Sequence, residues 1–401
     1  MVGASVASLL ARSGFSVIVV EGREPEPFDP DLPVGLRVSA FSPAAACVLN
    51  EAGAWRQVEN SRHCAYRHMV VEDRDQSAMI EFQAPEFGLE RLGTIVENHL
   101  VQWSLWQALS MMAGVEILCP EEVESLEYEQ DFALVELNSG KRVRARLVVG
   151  ADGANSRVRE LLGVAQDHWE YGQKGVVGVV GSLKPNPGIA WQRFLEGGPL
   201  AFLPLADGTS SVVWSCAEKE AERLLQLDDK SFLSELEWAA TGSPDHWPGE
   251  LNSLGPRAAF PLTMRLSERY CGRRAVLVGD AAHVMHPLAG QGVNLGLLDA
   301  AGLTEILIQA RQKQADIGSE KILVKYDRWR RSEAEVMCRG VHTLRGLFMP
   351  ESLGLLRRAG LGVVARSWTA REAFMRRATG QNGNAPAIAK GQTLTSLLHP
   401  A

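Results

Sequence analysis

No apolar run in the 401 residues reaches the roughly 18–20 positions that a membrane-crossing helix needs. The N-terminal stretch has neither the charged start nor the apolar centre of a secretory signal, so a cytoplasmic protein is the expectation. Cysteine is sparse and scattered: Cys47, Cys64, Cys119, Cys216, Cys271 and Cys338 include no CxxC pair. That argues against a disulfide framework and a zinc site, and predicts reduced thiols. Positive charge is not in excess, since 41 Lys and Arg face 48 Asp and Glu for a net charge of −7. With no nucleic-acid motif either, nucleic acid is not an expected partner. His283 and His286 lie three apart beside a glycine-rich loop, but no third ligand is apparent. Loop packing, and no metal, is the expectation for this pair. No internal repeat is present. What remains is a 46% hydrophobic, 22% charged chain, long enough for two or three packed units.

The first organised segment is half of a motif. Val2–Leu10 reads as a helix of small and apolar residues stopped at Gly14. Val17–Val20 then reads as a parallel-sheet strand buried on both faces, and it ends in Glu21. Helix, turn, apolar strand and acidic residue form the second half of a dinucleotide-binding βαβ unit. Gly3 stands where the third glycine of GxGxxG lets helix and strand pack closely, and Glu21 where a carboxylate grips a ribose hydroxyl. The first strand and first two glycines of such a unit would precede Met1. Alone, an incidental glycine and a solvated strand end account for this segment equally well.

Two later sites decide between these readings. The buried run Arg146–Gly150 leads into a glycine-flanked turn around Asp152, and a helix begins near Ser156. Amides at such a turn suit phosphate, with Arg157 or Arg159 adding a cation. The second site follows the apolar strand Ala275–Val278, which delivers Gly279 and Asp280 to a point where Asp280 can accept a ribose hydroxyl proton. Gly290 and Gly292 then let backbone approach a flat ligand at the start of a helix expected from about Val293 to Ala310. Either site alone can be a polar turn after a buried strand. In this order, with the N-terminal half-unit, they specify a nucleotide cofactor.

These sites resemble the DG and GD motifs of single-component FAD-dependent aromatic hydroxylases. The stretches GDAAHVMHPLAGQGVNLG at 279–296, GADGANSRVR at 150–159, LRVSA at 36–40 and VENHLVQWSLW at 96–106 resemble the ubiquinone-biosynthesis hydroxylase family in particular. The resemblance runs to about residue 345. It implies an α/β fold: a Rossmann-like FAD-binding domain (first strand missing) over 1–66, 93–170 and 264–325. An inserted, mainly β substrate domain would occupy 67–92 and 171–263. A helical region with a loose tail would fill 326–401.

Carried over by residue, the resemblance gives Glu21 the adenosine ribose, Arg37 a place near flavin or pyrophosphate, and Gln102 a contact with FAD. Asp152 is associated with FAD and nicotinamide-cofactor binding, and Asp280 with ribitol or pyrophosphate. Pro287 would face the flavin ring, which Gly290, Gln291, Gly292, Val293 and Asn294 would cradle through backbone amides. The implied activity is FAD-dependent hydroxylation of a polyprenyl phenol or benzoquinol with O₂ and a reductant, expected to be NAD(P)H. No side chain is assigned as catalytic, because the cofactor itself carries the reactive oxygen. Two alternatives stay open: a soluble phenolic substrate, or a flavin-poor structural subunit of a ubiquinone-synthesis complex.

Trp169, Tyr171, Trp191, Phe194, Phe202 and Trp214 are candidates to line a ring pocket in the β-rich middle, although strands favour aromatics in any case. Between Val341 and Gly380, seven arginines (345, 357, 358, 366, 371, 376, 377) meet two glutamates (351, 372), interspersed with large apolar residues. A basic amphipathic stretch suits a membrane surface, a partner complex or a solvated face on packing helices. A homo-oligomer is also among the expected assemblies.

Overall fold

A computed structural model of the chain describes residues 1–73, 79–241, 249–285, 292–348 and 367–399. Its parallel strands come in two pairs. Val17–Val20 lies parallel to Val115–Leu118, and Val148–Gly150 parallel to Ala275–Leu277. Cys271–Gly272 adds an antiparallel strand beside the last of these. Among the described residues, Val17–Val20 and Val148–Gly150 each have one strand neighbour. Ala275–Leu277 is fully buried, as its composition predicts. Val17–Val20 is less covered than its sequence suggests, with Ile18 41% exposed on an open face.

The helices Val2–Arg12 and Gly292–Gln312 pack against each other over these strands and share one large core. The second is 21 residues long and apolar enough to cross a membrane, but most of it lies inside this core. Its apolar character is that of a buried helix. The helix Pro43–Glu51 joins the same core, capped by the Ser42 hydroxyl, which accepts from the Ala45 amide, and started by Pro43.

The region expected to form the substrate domain is built on an eight-stranded sheet. Its order is His283–Val284, Leu251–Ser267, Gln166–Ser182, Ser210–Ala217, Gly198–Pro204, Ile189–Leu195, His68–Glu72, Met79–Gln83. Its two longest strands cross the expected domain borders at 170 and 264, so the sheet is rooted in the cofactor domain. Two helices, Glu218–Gln226 and Asp229–Ala240, cover one face. Strand alternation sorts the residues. Val176, Val180, Trp191, Leu200, Phe202, Val212 and Trp214 point to the helices and form a core with Phe232 and Leu236.

Among the described residues, the opposite face is less completely covered. Register pairs Val177 with Val213 and Ala258, and Val213 with Ala201. These four are half-buried, as are Val179 and Leu203, and Phe260 is 38% exposed. Of the expected ring-pocket aromatics, Phe194 shares the strand face of Gln192 and Ala201, and the others fall elsewhere. Trp191, Phe202 and Trp214 belong to the helix-covered core, Phe194 packs near Phe82, and Trp169 and Tyr171 rest on the main core. Sequence alternation marks two faces but does not say which one the helices cover.

The residues after Thr379 correct another expectation. Their Gly, Asn and Pro content reads as loose, yet Ala385, Ile388, Ala389 and Leu394 are buried in the main core. The segment's polar groups are also matched: the Ala387 amide donates to Glu305 and the Leu394 amide to Glu51. The six cysteines are unpaired, and burial pushes the Cys216, Cys271 and Cys338 thiols up to about 11. Ile388→Ala is expected to cost about 2–4 kcal/mol in urea unfolding, the scale of a truncation in a packed core. A change below about 0.5 kcal/mol, ordinary for a surface site, would return this tail to the loose class.

Candidate cofactor site

Three acidic residues stand just beyond the carboxyl ends of parallel strands: Glu21 after Val20, Asp152 after Gly150, and Asp280 after Leu277. Open α/β sheets bind ligands at this edge. Burial pushes the Met1 amine below its usual range, while Glu21 and Asp280 act on it in the opposite sense. Both carboxylates therefore lie around the start of helix Val2–Arg12. Small residues make this convergence possible. A Cβ on Gly3 would come within 2.9 Å of the Ala151 Cβ, and one on Gly296 within 2.7 Å of a Val2 methyl. Gly279 and Gly296 are themselves so close that a Cβ on Gly296 would meet the Gly279 Cα at 3.1 Å.

Gly279 adopts φ +59°, the left-handed region that favours glycine, and opens a 3-10 turn through Ala281. The turn projects Asp280 outward as an exposed carboxylate that accepts no hydrogen bond among the described residues. Nearby, Gly292 and Val293 open helix Gly292–Gln312, whose first-turn amides have no partner within the helix and carry its positive end. Among the described residues, a Cβ on Gly292 would meet nothing within 4 Å.

Asn294 does something other than cradle a ligand with its side chain. Its Nδ2 donates to the Ala40 carbonyl at 2.8 Å and its Oδ1 accepts from the Ser42 amide at 2.9 Å. This clamps the helix start to strand Val38–Phe41. Arg37, exposed just before that strand, lies over the Phe260 ring at 5.4 Å and so reaches the open face of the large sheet. The Arg37 carbonyl accepts from the Asn98 amide, which ties this point to helix Asn98–Ser110, where Gln102 is exposed. Pro287, Gly290 and Gln291 lie outside the described residues.

At the DG turn, two amides of the helix start have side-chain partners within the chain. Asp152 accepts from the Val158 amide at 3.0 Å, and Ser156 accepts from the Arg159 amide at 3.0 Å. Arg157 donates to Glu160 and to the Glu124 carbonyl. Arg159 donates to the Ala281 and Ala154 carbonyls, and Arg265 also donates to Ala154. The turn satisfies these groups internally and braces the GD turn through Arg159.

Sequence reasoning overlooked Asp299. It is fully buried, accepting from or bonding to His283 at 2.6 Å, Arg330 at 2.9 Å and the Gly279 amide at 3.2 Å. A signal was present: one acidic residue in the apolar stretch Gly296–Leu303 must find partners if that helix is buried.

An extended dinucleotide fits this arrangement, with carboxylates for ribose or ribitol hydroxyls and helix-start amides beside an open glycine. A family model described as an FAD binding domain matches residues 1–341. The solved structure of p-nitrophenol 4-monooxygenase from Pseudomonas putida has the same fold, with a TM-score of 0.74 at 18% identity, covering 95% of this chain and 96% of that one. The fold and the family model thus define an FAD-binding flavoprotein. Among curated relatives, 3-demethoxyubiquinol 3-hydroxylase of Escherichia coli is 36% identical, covering 91% of this chain and 94% of its own. The ubiquinone hydroxylase UbiL of Rhodospirillum rubrum is 35% identical, over 95% of this chain and 87% of its own. The chain belongs to the family of FAD-dependent ubiquinone-biosynthesis hydroxylases.

Burial acts to raise the Asp299 carboxyl, but the His283 and Arg330 charges outweigh it and hold the group below its usual range. The folded chain therefore binds this proton more weakly than the unfolded chain. The contribution to stability is complete above the unfolded value, about 3.9, and is lost as pH falls through the lower folded value. Urea unfolding across a pH series is expected to find Asp299→Asn less stable than the parent at neutral pH. The gap should narrow in acid, and a constant gap would refute the assignment.

Proposed function

We propose that this chain hydroxylates the aromatic ring of a polyprenyl phenol or benzoquinol, using O₂ and NAD(P)H as reductant. The observation that carries the reading is the open sheet face formed by Val177, Val179, Ala201, Leu203, Val213, Ala258 and Phe260. These residues carry no ionisable group. Burying hydrocarbon against them gains roughly 25 cal/mol per Å², and it keeps water from the reacting ring. The Arg37–Phe260 contact joins this face to the strand that Asn294 clamps to the flavin-cradle helix.

FAD supplies the oxygen chemistry when bound, and the chain's own residues have three tasks. Glu21 and Asp280 hold hydroxyls of the cofactor, the first-turn amides of helix Gly292–Gln312 face its flavin end, and the apolar sheet orients the ring. Incubating the FAD-loaded enzyme with a prenylated phenol, NAD(P)H and isotopically labelled O₂ tests the reading. One labelled oxygen in the product is expected. Reductant consumption with no oxygenated product, or equal turnover of unprenylated phenols, would overturn it.

Asp280→Ala is expected to lose most of its flavin on purification, seen as a weakened flavin absorption band. Undiminished flavin content would remove Asp280 from the site.

A peripheral membrane contact through the C-terminal region completes the proposal. Helix Trp368–Ala378 docks on the sheet edge by stacking Trp368 on Phe87 and Phe374 on Phe82, both at 5.3 Å. Arg371 and Arg377 turn inward to Glu86 and Glu333, so the outward face consists of Trp368, Thr369, Ala373, Phe374 and Arg376. Two half-exposed aromatics beside the Arg376–Glu372 ion pair suit a headgroup boundary. Trp368→Ser with Phe374→Ser should reduce co-sedimentation with anionic vesicles, and unchanged partitioning would reduce this helix to packing.

A further inference from the structure

The buried cluster around Asp299 has a geometry that stability alone does not explain. Its carboxylate is reached from three separate elements. The Gly279 amide comes from the GD turn, His283 from the strand that follows it, and Arg330 from helix Glu320–Phe348. Arg330 lies along Gly302, where an added Cβ would stand 2.9 Å from its Cδ, so the guanidinium has a fixed approach to the carboxylate. The same helix supports the strand beneath the turn. Tyr326 donates to the Leu277 carbonyl at 3.0 Å, and Asp327 accepts from the Tyr270 amide at 2.6 Å.

This is a costly way to fill a core. Asp299, His283 and Arg330 are each at most 1% exposed. His283 Nδ1, Arg330 Nη2 and the Tyr270 hydroxyl have no hydrogen-bond partner among the described residues. Desolvating such charges often costs more than their attraction returns, and each unmatched polar atom adds to the deficit. What the arrangement does provide is a fixed acceptor for the backbone immediately before Asp280, anchored on the helix that starts at Gly292.

We infer that Asp299 is the positioning residue of the flavin site, locking the Gly279–Asp280 turn to the flavin-cradle helix so that both grip the cofactor as one unit. The inference rests on the reading of Asp280 as an FAD ligand and adds the means by which Asp280 is aimed. Asp299 does not touch the cofactor in this account. It sets the direction of a carboxylate that does.

The test is a double-mutant cycle on FAD affinity, measured by titrating FAD into deflavinated full-length protein, with circular dichroism to check folding. Asp299→Asn should weaken FAD binding roughly ten- to a hundredfold, the scale of losing a charge-assisted hydrogen bond. In the Asp280→Ala background the same change should have less than about a twofold further effect, because coupled residues are not additive. If Asp299→Asn does not fold, His283→Ala takes its place in the cycle, with His283→Gln expected to rescue affinity by restoring a donor to Asp299. Parental affinity in Asp280→Ala would sink the reading of Asp280 itself. Weakened binding in Asp280→Ala, with effects of Asp299→Asn or His283→Ala that are absent or simply multiply, would overturn the coupling alone.

Discussion

Close approach of small residues governs the geometry of the cofactor domain. Gly3 faces Ala151, Val2 rests against Gly279 and Gly296, and those two glycines nearly touch. Overfilling a packed contact typically costs about 1–3 kcal/mol, and here the displacement would pass directly into ligand-bearing turns. Because no side chain keeps them apart, the first helix, the DG turn, the GD turn and the long helix meet at one point. The exposed carboxylates of Glu21 and Asp280 thereby gather around the start of helix Val2–Arg12. Asp299 reinforces the junction from below, and Arg159 ties its two glycine–aspartate turns together.

Much of this domain was legible from local pattern. Buried strands followed by glycine and aspartate have few other uses, and Ala275–Leu277 with helix Gly292–Gln312 lies close to where those patterns predict. The site was less legible where several elements compete for the same groups. Asp152 belongs to a cofactor motif, and its side chain also accepts from the Val158 amide six positions ahead. Asn294 belongs to a ligand loop by motif, while its side chain holds Ala40 and Ser42, more than 250 positions earlier in the chain. Such partners become visible only after tertiary folding. Asp299 was the opposite case, since a lone carboxylate in an apolar helix announces a need for partners without naming them.

The large sheet separates two demands by strand parity. Even-numbered Val176, Val180, Val212 and Trp214 serve the helix-covered core, while odd-numbered Val177, Val179 and Val213 face away from it. Both sets are apolar, so composition could not divide them, and Trp191, Phe202 and Trp214 fell to the helix-covered side. Exchanges among Val, Ala and Leu on the open face therefore change the shape of that surface with little effect on the packed one.

The buried tail carries a consequence of timing. Val6 and Leu394 belong to the same core, and the strands and helices between them include an entire second domain. A chain emerging from the ribosome N-terminus first therefore exposes the apolar surfaces of its opening helix and of Pro43–Glu51 long before their last partners exist. The inserted sheet completes its strand pairing earlier, once Leu251–Ser267 is available. The core shared by the first and last helices is complete only once Ile388 and Leu394 have been synthesised.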